Sequence, residues 1–152
     1  MLLPCVPASV AVARHRIAAD LLAAGVLEPA VGDAALVMSE LLSNAILHAS
    51  PLPGHRLQVT WEVDAGSVEI AVSDGGGPTR PRAARPSLSS PGGRGLGIVE
   101  YLSDQWGVQA DGPGTTVWAI LPAPGMQRAD RETVRQTDRA DAQRADRQAA
   151  RQ

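Results

Sequence analysis

An acid and an amide stand four residues apart in a strongly apolar segment of the sequence. Glu40 and Asn44 lie between Leu36 and Leu47, and their spacing places both on one face of a helix. Apolar residues fall on nearly every side of that helix, so we expect burial all round, where an unpaired carboxylate costs roughly several kcal/mol. Both side chains offer the hard oxygens that Mg2+ prefers. The pair is a candidate for holding Mg2+ and orienting a nucleophile. The alternative, which is more common for an isolated pair of this kind, is that both side chains face solvent and form only local caps or hydrogen bonds.

A second candidate carboxylate ends an alternating segment further along the chain. Asp74 is followed by the glycines at positions 75–77, where the backbone can approach a flat ligand closely. The carboxylate could accept a hydrogen bond from an exocyclic amine such as that of adenine. An ordinary turn stabilised by an aspartate is the alternative interpretation.

A glycine-rich stretch leads directly into a predicted helix. Its backbone amides and the helix N-terminus can bind phosphates, and the residues concerned are Gly93, Arg94, Gly95, Leu96 and Gly97. A dinucleotide-binding fingerprint is excluded here because no buried parallel strand precedes the stretch. Thr115 and Thr116, after a Gly-Pro-Gly turn, add hydroxyls near the predicted pocket.

The periodicity of apolar residues predicts the elements that position these groups. Helical spacing predicts helices, and alternation predicts strands in hairpins. The helices span about 8–24, 29–49 and 96–103, and the strands about 57–62, 68–72, 106–110 and 115–121. Helices segregated from such strands define an α+β fold, a two-layer sandwich of a mixed, mainly antiparallel sheet with helices on one face.

Length and composition fit one compact domain followed by a polar tail. The 152 residues are 44% hydrophobic, which suffices for a core. We expect the domain to span residues 1–123, with a mobile lid over about 75–95. Residues 124–152 carry seven arginines and five acidic residues among Ala and Gln, so we expect a disordered tail or a solvated helix.

Charge and hydropathy indicate which kinds of partner the protein binds and in which compartment it is located. The net charge is -2 and the basic residues are spread along the chain, which argues against direct binding of nucleic acid. The sequence shows neither a secretory signal pattern nor an unbroken apolar run long enough to span a membrane. A cytoplasmic protein without a membrane segment is therefore expected.

In their order and spacing, these residues resemble the GHKL (Bergerat-fold) ATPases over roughly residues 6–121. Matches to the N box, the first and second glycine boxes and the last box fall at residues 39–45 with His48 and Ala49, 72–77, 93–99 and 114–117. Pro78 departs from the family, because it stands where the first glycine box has its second glycine. Within the superfamily the sequence looks like the anti-sigma-factor serine/threonine kinases of actinobacterial type.

The resemblance implies a role for each matched residue. Glu40 is implied as general base and Asn44 as a ligand of Mg2+, while Asp74 meets the amino group of adenine. The other implied cofactor-binding residues are Gly76, Gly93, Arg94, Gly95, Leu96, Gly97, Thr115 and Thr116. The implied cofactors are ATP and Mg2+.

The resemblance also implies a function and partners. It implies an ATP-dependent kinase that phosphorylates a STAS-type anti-anti-sigma protein and regulates a sigma factor by partner switching, with a homodimer through the first helix. A non-catalytic ATP-binding adaptor that sequesters a regulatory protein is the alternative. The ATP-binding half of a histidine kinase fits less well, because only His15 precedes the site and it lies on a helix of the domain itself.

Overall fold

The structure is a computed structural model, and it describes residues 1–64, 66–76, 93–111 and 114–125. The described elements, in chain order, are β1 (Leu2–Pro4), α1 (Ala8–Ala23), α2 (Glu28–His48), β2 (Arg56–Asp64), β3 (Ser67–Asp74), α3 (Gly93–Leu102), β4 (Gln105–Asp111) and β5 (Gly114–Pro122). The predicted lid falls mainly on residues 77–92 and the predicted tail on residues 126–152, both outside the described residues.

The strands form one sheet in the order β1-β2-β3-β5-β4. All four described pairings are antiparallel, so this part of the sheet lacks the parallel pair that a mixed sheet would contain. Alternation along β2 buries Leu57 and Val59 and exposes Gln58 and Thr60, because successive side chains point to opposite faces. The buried face lies under the helices, and the α+β two-layer class is confirmed.

Helix α2 occupies the centre of the helical layer. It contacts α1, α3, β3 and β5, and its buried side chains include Val37, Met38, Leu41 and Leu42. In length and composition alone it could cross a membrane, but half of its apolar window is buried inside the domain. Its apolarity therefore follows from its position in the core.

The expectation that α2 is buried on nearly every side is wrong for one stripe. Leu36 is 41% exposed and Leu47 is 72% exposed, because no described element covers that side of the helix. Glu40 lies between them along the chain and is half-buried. The carboxylate therefore lies at the edge of the core and avoids the full cost of burial.

Two boundaries differ from the sequence prediction. Strand β1 was not predicted, because three residues with the single buried side chain of Leu3 are too few to show alternation. Helix α3 begins at Gly93 and not at residue 96, because its first turn contains glycines, whose helix propensity is low. The longer helix brings its N-terminus to the predicted glycine-rich stretch.

The end of β5 is held against the connection between the first two helices. The amide of Leu27 donates to the carbonyl of Pro124 at 3.0 Å, and the amide of Ala123 donates to Gly66 at 2.7 Å. Gly125 follows with φ +112. The contacts of the described residues thus extend to Gly125.

Candidate functional site

The first turn of α3 lies directly against the acid and the amide of α2. A Cβ atom built on Gly95 would collide with the Glu40 carboxylate and would lie 3.8 Å from Asn44 Nδ2. A side chain at position 95 would therefore displace the Glu40 carboxylate from its present place against α3. The structure brings Gly95 to Glu40 and Asn44, which lie far from it in the sequence.

The side-chain amide of Asn44 has an unsatisfied donor in this contact. Its Nδ2 atom is buried and has no hydrogen-bond partner among the described residues. An unpaired buried donor of this kind costs about 1–3 kcal/mol. Oxygen atoms of a ligand at the N-terminus of α3 would satisfy it, which makes this amide a candidate for ligand binding.

Helix α3 contributes backbone amides to the same place. The first turn of an α-helix has free N–H groups, and Gly93, Arg94 and Gly95 belong to the first turn of α3. Leu96 and Gly97 follow and are half-buried. This end of α3 can bind an anion such as a phosphate beside Asn44.

Asp74 ends β3 and is held in a fixed orientation. It is 8% exposed, and its Oδ1 atom accepts a hydrogen bond from the amide of Gly76 at 2.5 Å. Gly76 has φ +74, a left-handed conformation that favours glycine. With Oδ1 bound to the backbone, Oδ2 is available for a donor on a ligand.

The two threonines of β5 lie on different faces of the sheet. Thr115 is the register partner of Asp74 and shares its face, which lies under the helices. Thr116 is the partner of Ser73, and their hydroxyls form a hydrogen bond at 2.7 Å. Strand alternation therefore places only Thr115 near Asp74, whereas both hydroxyls were expected near the pocket.

Sequence reasoning missed the segment after α2. The carbonyl of Ser50 accepts a hydrogen bond from the amide of Gly75 at 2.7 Å, and the carbonyl of Pro51 lies against the same glycine. In the sequence, Ser50 and Pro51 only indicated the end of a helix. Backbone carbonyls give no signal of their own in a sequence, so this contact could not be predicted from it.

A metal ion at this site would depend on few protein ligands. Among the described residues no group of three or more His, Cys, Asp or Glu side chains could hold a metal. The amide oxygen of Asn44 and the Glu40 carboxylate are hard donors of the kind that suits Mg2+. These residues fit a cation that takes most of its ligands from a bound phosphate and water.

Residues 3–121 match the family model of the histidine kinase-like ATPase domain. The match covers well over half of the chain, and the chain therefore belongs to this family of the GHKL superfamily. The superfamily resemblance found in the sequence is confirmed. An ATPase domain implies ATP as the bound nucleotide.

Two solved structures similar to the chain come from one protein. The histidine kinase domain of the blue-light activated histidine kinase from Erythrobacter litoralis is 25% identical, with a TM-score of 0.48, over 64% of this chain and 46% of that one. A structure of the blue-light activated histidine kinase itself is 25% identical, with a TM-score of 0.47, over 64% of this chain and 34% of that one. The chain thus spans less than half the length of either, and no curated protein matches it.

Proposed function

We propose that this domain binds Mg2+ and ATP and transfers the γ-phosphoryl group to a serine or threonine of a partner protein. The observation that carries the proposal is the contact between the first turn of α3 and the Glu40–Asn44 pair. This contact brings together a carboxylate, an unpaired buried side-chain amide and the backbone amides of the first turn of α3. The amides suit the phosphates of a nucleotide, and the carboxylate suits an attacking hydroxyl.

In this reaction Glu40 acts on the nucleophile. Its half-buried carboxylate orients the partner's hydroxyl and accepts its proton as the hydroxyl oxygen bonds to the γ-phosphorus. The bond from that phosphorus to the β–γ bridging oxygen breaks, and ADP leaves. Asn44 and the amides of α3 hold the phosphates, and bound Mg2+ would neutralise their charge.

At the other end of the site, Asp74 recognises the base. Its free carboxylate oxygen accepts a hydrogen bond from the adenine amino group, and Thr115 lies opposite it in the sheet. This assignment uses a carboxylate whose orientation is fixed by the amide of Gly76. A fixed acceptor loses little entropy when the ligand binds.

Resemblance alone suggests the partner. The residues resemble those of anti-sigma-factor kinases, so the proposed substrate is a STAS-type anti-anti-sigma protein and the regulated protein is a sigma factor. Phosphorylation of the substrate would then exchange one partner for the other. A homodimer through α1 belongs to the same proposal.

The test is phosphoryl transfer from labelled ATP. The purified chain is incubated with Mg2+, labelled ATP and each STAS protein encoded by the same genome, and transfer of label to one of them is expected. Glu40→Gln should reduce the transfer rate at least about a hundredfold, because general-base catalysis contributes that much, while ATP binding changes little.

Glu69→Gln is the matched control, since Glu69 is exposed on the sheet face away from the helices and transfer should be unaffected. ATP binding without transfer to any candidate would contradict the kinase proposal. Partner regulation that is equal in the unaltered chain and in Glu40→Gln would support a non-catalytic adaptor instead.

A further inference from the structure

The loop after α2 and the turn after β3 meet through backbone atoms. The amide of Gly75 donates to the carbonyl of Ser50 at 2.7 Å. A Cβ atom built on Gly75 would lie 2.6 Å from the carbonyl oxygen of Pro51 and 3.1 Å from its carbonyl carbon. Real Cβ atoms essentially never approach other atoms more closely than 3.0 Å, so residue 75 has no room for a side chain.

The need for glycine at position 75 is purely steric. Gly76 has φ +74, but Gly75 is absent from the glycines with positive φ. Alanine could therefore adopt the backbone conformation of Gly75 without strain. Any effect of a methyl group at this position must come from its collision with the Pro51 carbonyl and its tight contact, at 3.3 Å, with the carbonyl oxygen of Ser50.

The Pro51 carbonyl is poorly able to move away. On one side, the amide of Ala49 bonds to Ala45 at the end of α2 at 2.9 Å. On the other side, Leu52 and Arg56 bond to each other through both backbone groups, at 2.8 Å and 3.3 Å. The proline ring also fixes φ of residue 51, which leaves only ψ to reorient its carbonyl. A methyl group at position 75 must therefore displace the turn of Asp74.

We propose that the contact between Gly75 and the Pro51 carbonyl is a positioning contact that sets the Asp74 carboxylate for selection of adenine. The proposal rests on the proposed function, because Asp74 is taken to bind the base. Gly75 separates Asp74 from Gly76, whose amide holds Oδ1, so displacement of Gly75 breaks or bends that bond. Adenine presents an amino donor to a carboxylate, whereas guanine presents a carbonyl at the corresponding position.

The same contact connects the proposed phosphate-binding end of the site, on α2, with the proposed base-binding end at Asp74. The loop that carries Pro51 continues directly from α2, the helix of Glu40 and Asn44. The phosphate-binding end on α2 and the base-binding end at Asp74 are therefore held at a fixed separation. Preorganisation of this kind favours a ligand of matching length and base.

The experiment measures the dissociation constants of ATP, GTP and inorganic tripolyphosphate, each with Mg2+, for the full chain. Gly75→Ala should weaken ATP binding about tenfold, since a hydrogen bond to a charged group is lost or bent. GTP and tripolyphosphate should bind within about twofold of their original affinity, so the ATP preference over GTP falls. Gly32→Ala is the matched control, because a Cβ at Gly32 meets nothing within 4 Å.

The possible outcomes separate this proposal from the proposed function. If the unaltered chain binds no ATP, the proposed function fails and this proposal fails with it. If the unaltered chain binds ATP and Gly75→Ala keeps its preference for ATP over GTP, only the positioning contact is overturned. Equal weakening of all three ligands would also overturn it, because Gly75 would then act on the fold alone.

If Gly75→Ala does not fold, a second variant tests the positioning contact. Pro51→Gly frees the loop without adding an atom at position 75, and it should lower the preference for ATP about threefold. An unchanged preference in that variant would overturn the proposal.

Discussion

At the level of single residues, stability does not explain the amide of Asn44. Its Nδ2 atom is buried beside Glu40 and Gly95, and no described residue pairs with it. An apolar side chain of similar size would avoid the cost of the unpaired N–H. The asparagine therefore costs stability in the nucleotide-free protein, and the proposed nucleotide site would account for its presence.

Replacement of Asn44 by leucine separates these two roles. Asn44→Leu should raise the free energy of unfolding of the nucleotide-free protein by about 1 kcal/mol, because no buried donor is left unpaired. The same change should weaken Mg-ATP binding at least about tenfold. Urea unfolding and calorimetric titration measure the two effects.

Ser39→Ala serves as the control for Asn44→Leu. The Ser39 hydroxyl bonds within α2 to the carbonyl of Ala35, so its removal should change the free energy of unfolding by less than about 0.5 kcal/mol and leave binding unchanged. A clear loss of stability in Asn44→Leu would show that the amide is paired in the nucleotide-free protein, contrary to the structure.

At the level of elements, two glycines meet at the connection between α1 and α2, and each position requires glycine for a different reason. Gly25 lies in the connection, and Gly125, after β5, packs against it. Gly25 follows the C-terminal end of α1 and has φ +80, and a Cβ there would meet nothing within 4 Å. Gly125 has φ +112, and a Cβ there would lie 2.8 Å from the carbonyl oxygen of Gly25 and from the amide of Leu27. Conformation alone requires glycine at position 25, whereas conformation and space both require it at position 125.

Alanine at each position measures the two contributions. Gly25→Ala should lower the free energy of unfolding by about 1 kcal/mol, the cost of a left-handed conformation. Gly125→Ala should lower it by about 2–3 kcal/mol, because the collision with the α1–α2 connection adds to that cost. Urea unfolding of both variants tests this, and equal losses would show that Gly125 does not pack against the connection in solution.

The elements with a long periodic pattern of apolar residues could be predicted from the sequence, whereas features that depend on strand pairing could not. Helices α1 and α2 and the two hairpins carry long apolar patterns, so their existence and type were predicted and are confirmed. The face of Thr116 depends on the pairing of Asp74 with Thr115. Strand register across an intervening helix is a tertiary property, so it could not be predicted from the local pattern.

At the level of the whole molecule, the described contacts end at Gly125. A chain that ends there should unfold at the same urea concentration as the full chain and should bind ATP with the same affinity, within about twofold. A chain that ends at Leu121 lacks the Ala123 and Pro124 hydrogen bonds to Gly66 and Leu27 and should be less stable by about 1–3 kcal/mol. Weaker ATP binding by the chain that ends at Gly125 would give the tail a role at the site.

The sequence alone predicted candidate site residues but not how they meet. Glu40 and Asn44 stood out because polar groups are rare in apolar segments, and Asp74 stood out because three glycines follow the end of its strand. The contacts of Gly95 with Glu40 and of Gly75 with Pro51 depend on how α3 and the loop after α2 pack against other elements. Such packing follows from the whole core, so it required the structure.

The dispersion of these groups along the chain has a thermodynamic consequence. Glu40, Asp74, Gly95 and Thr115 come from four different elements, so the unfolded polypeptide holds no partial version of the proposed site. A nucleotide can then bind only the native state, and its binding energy is added in full to the resistance of the protein to denaturation. At a nucleotide concentration one hundred times the dissociation constant this addition is about 2.7 kcal/mol, so a melting curve recorded with and without nucleotide would report occupancy directly.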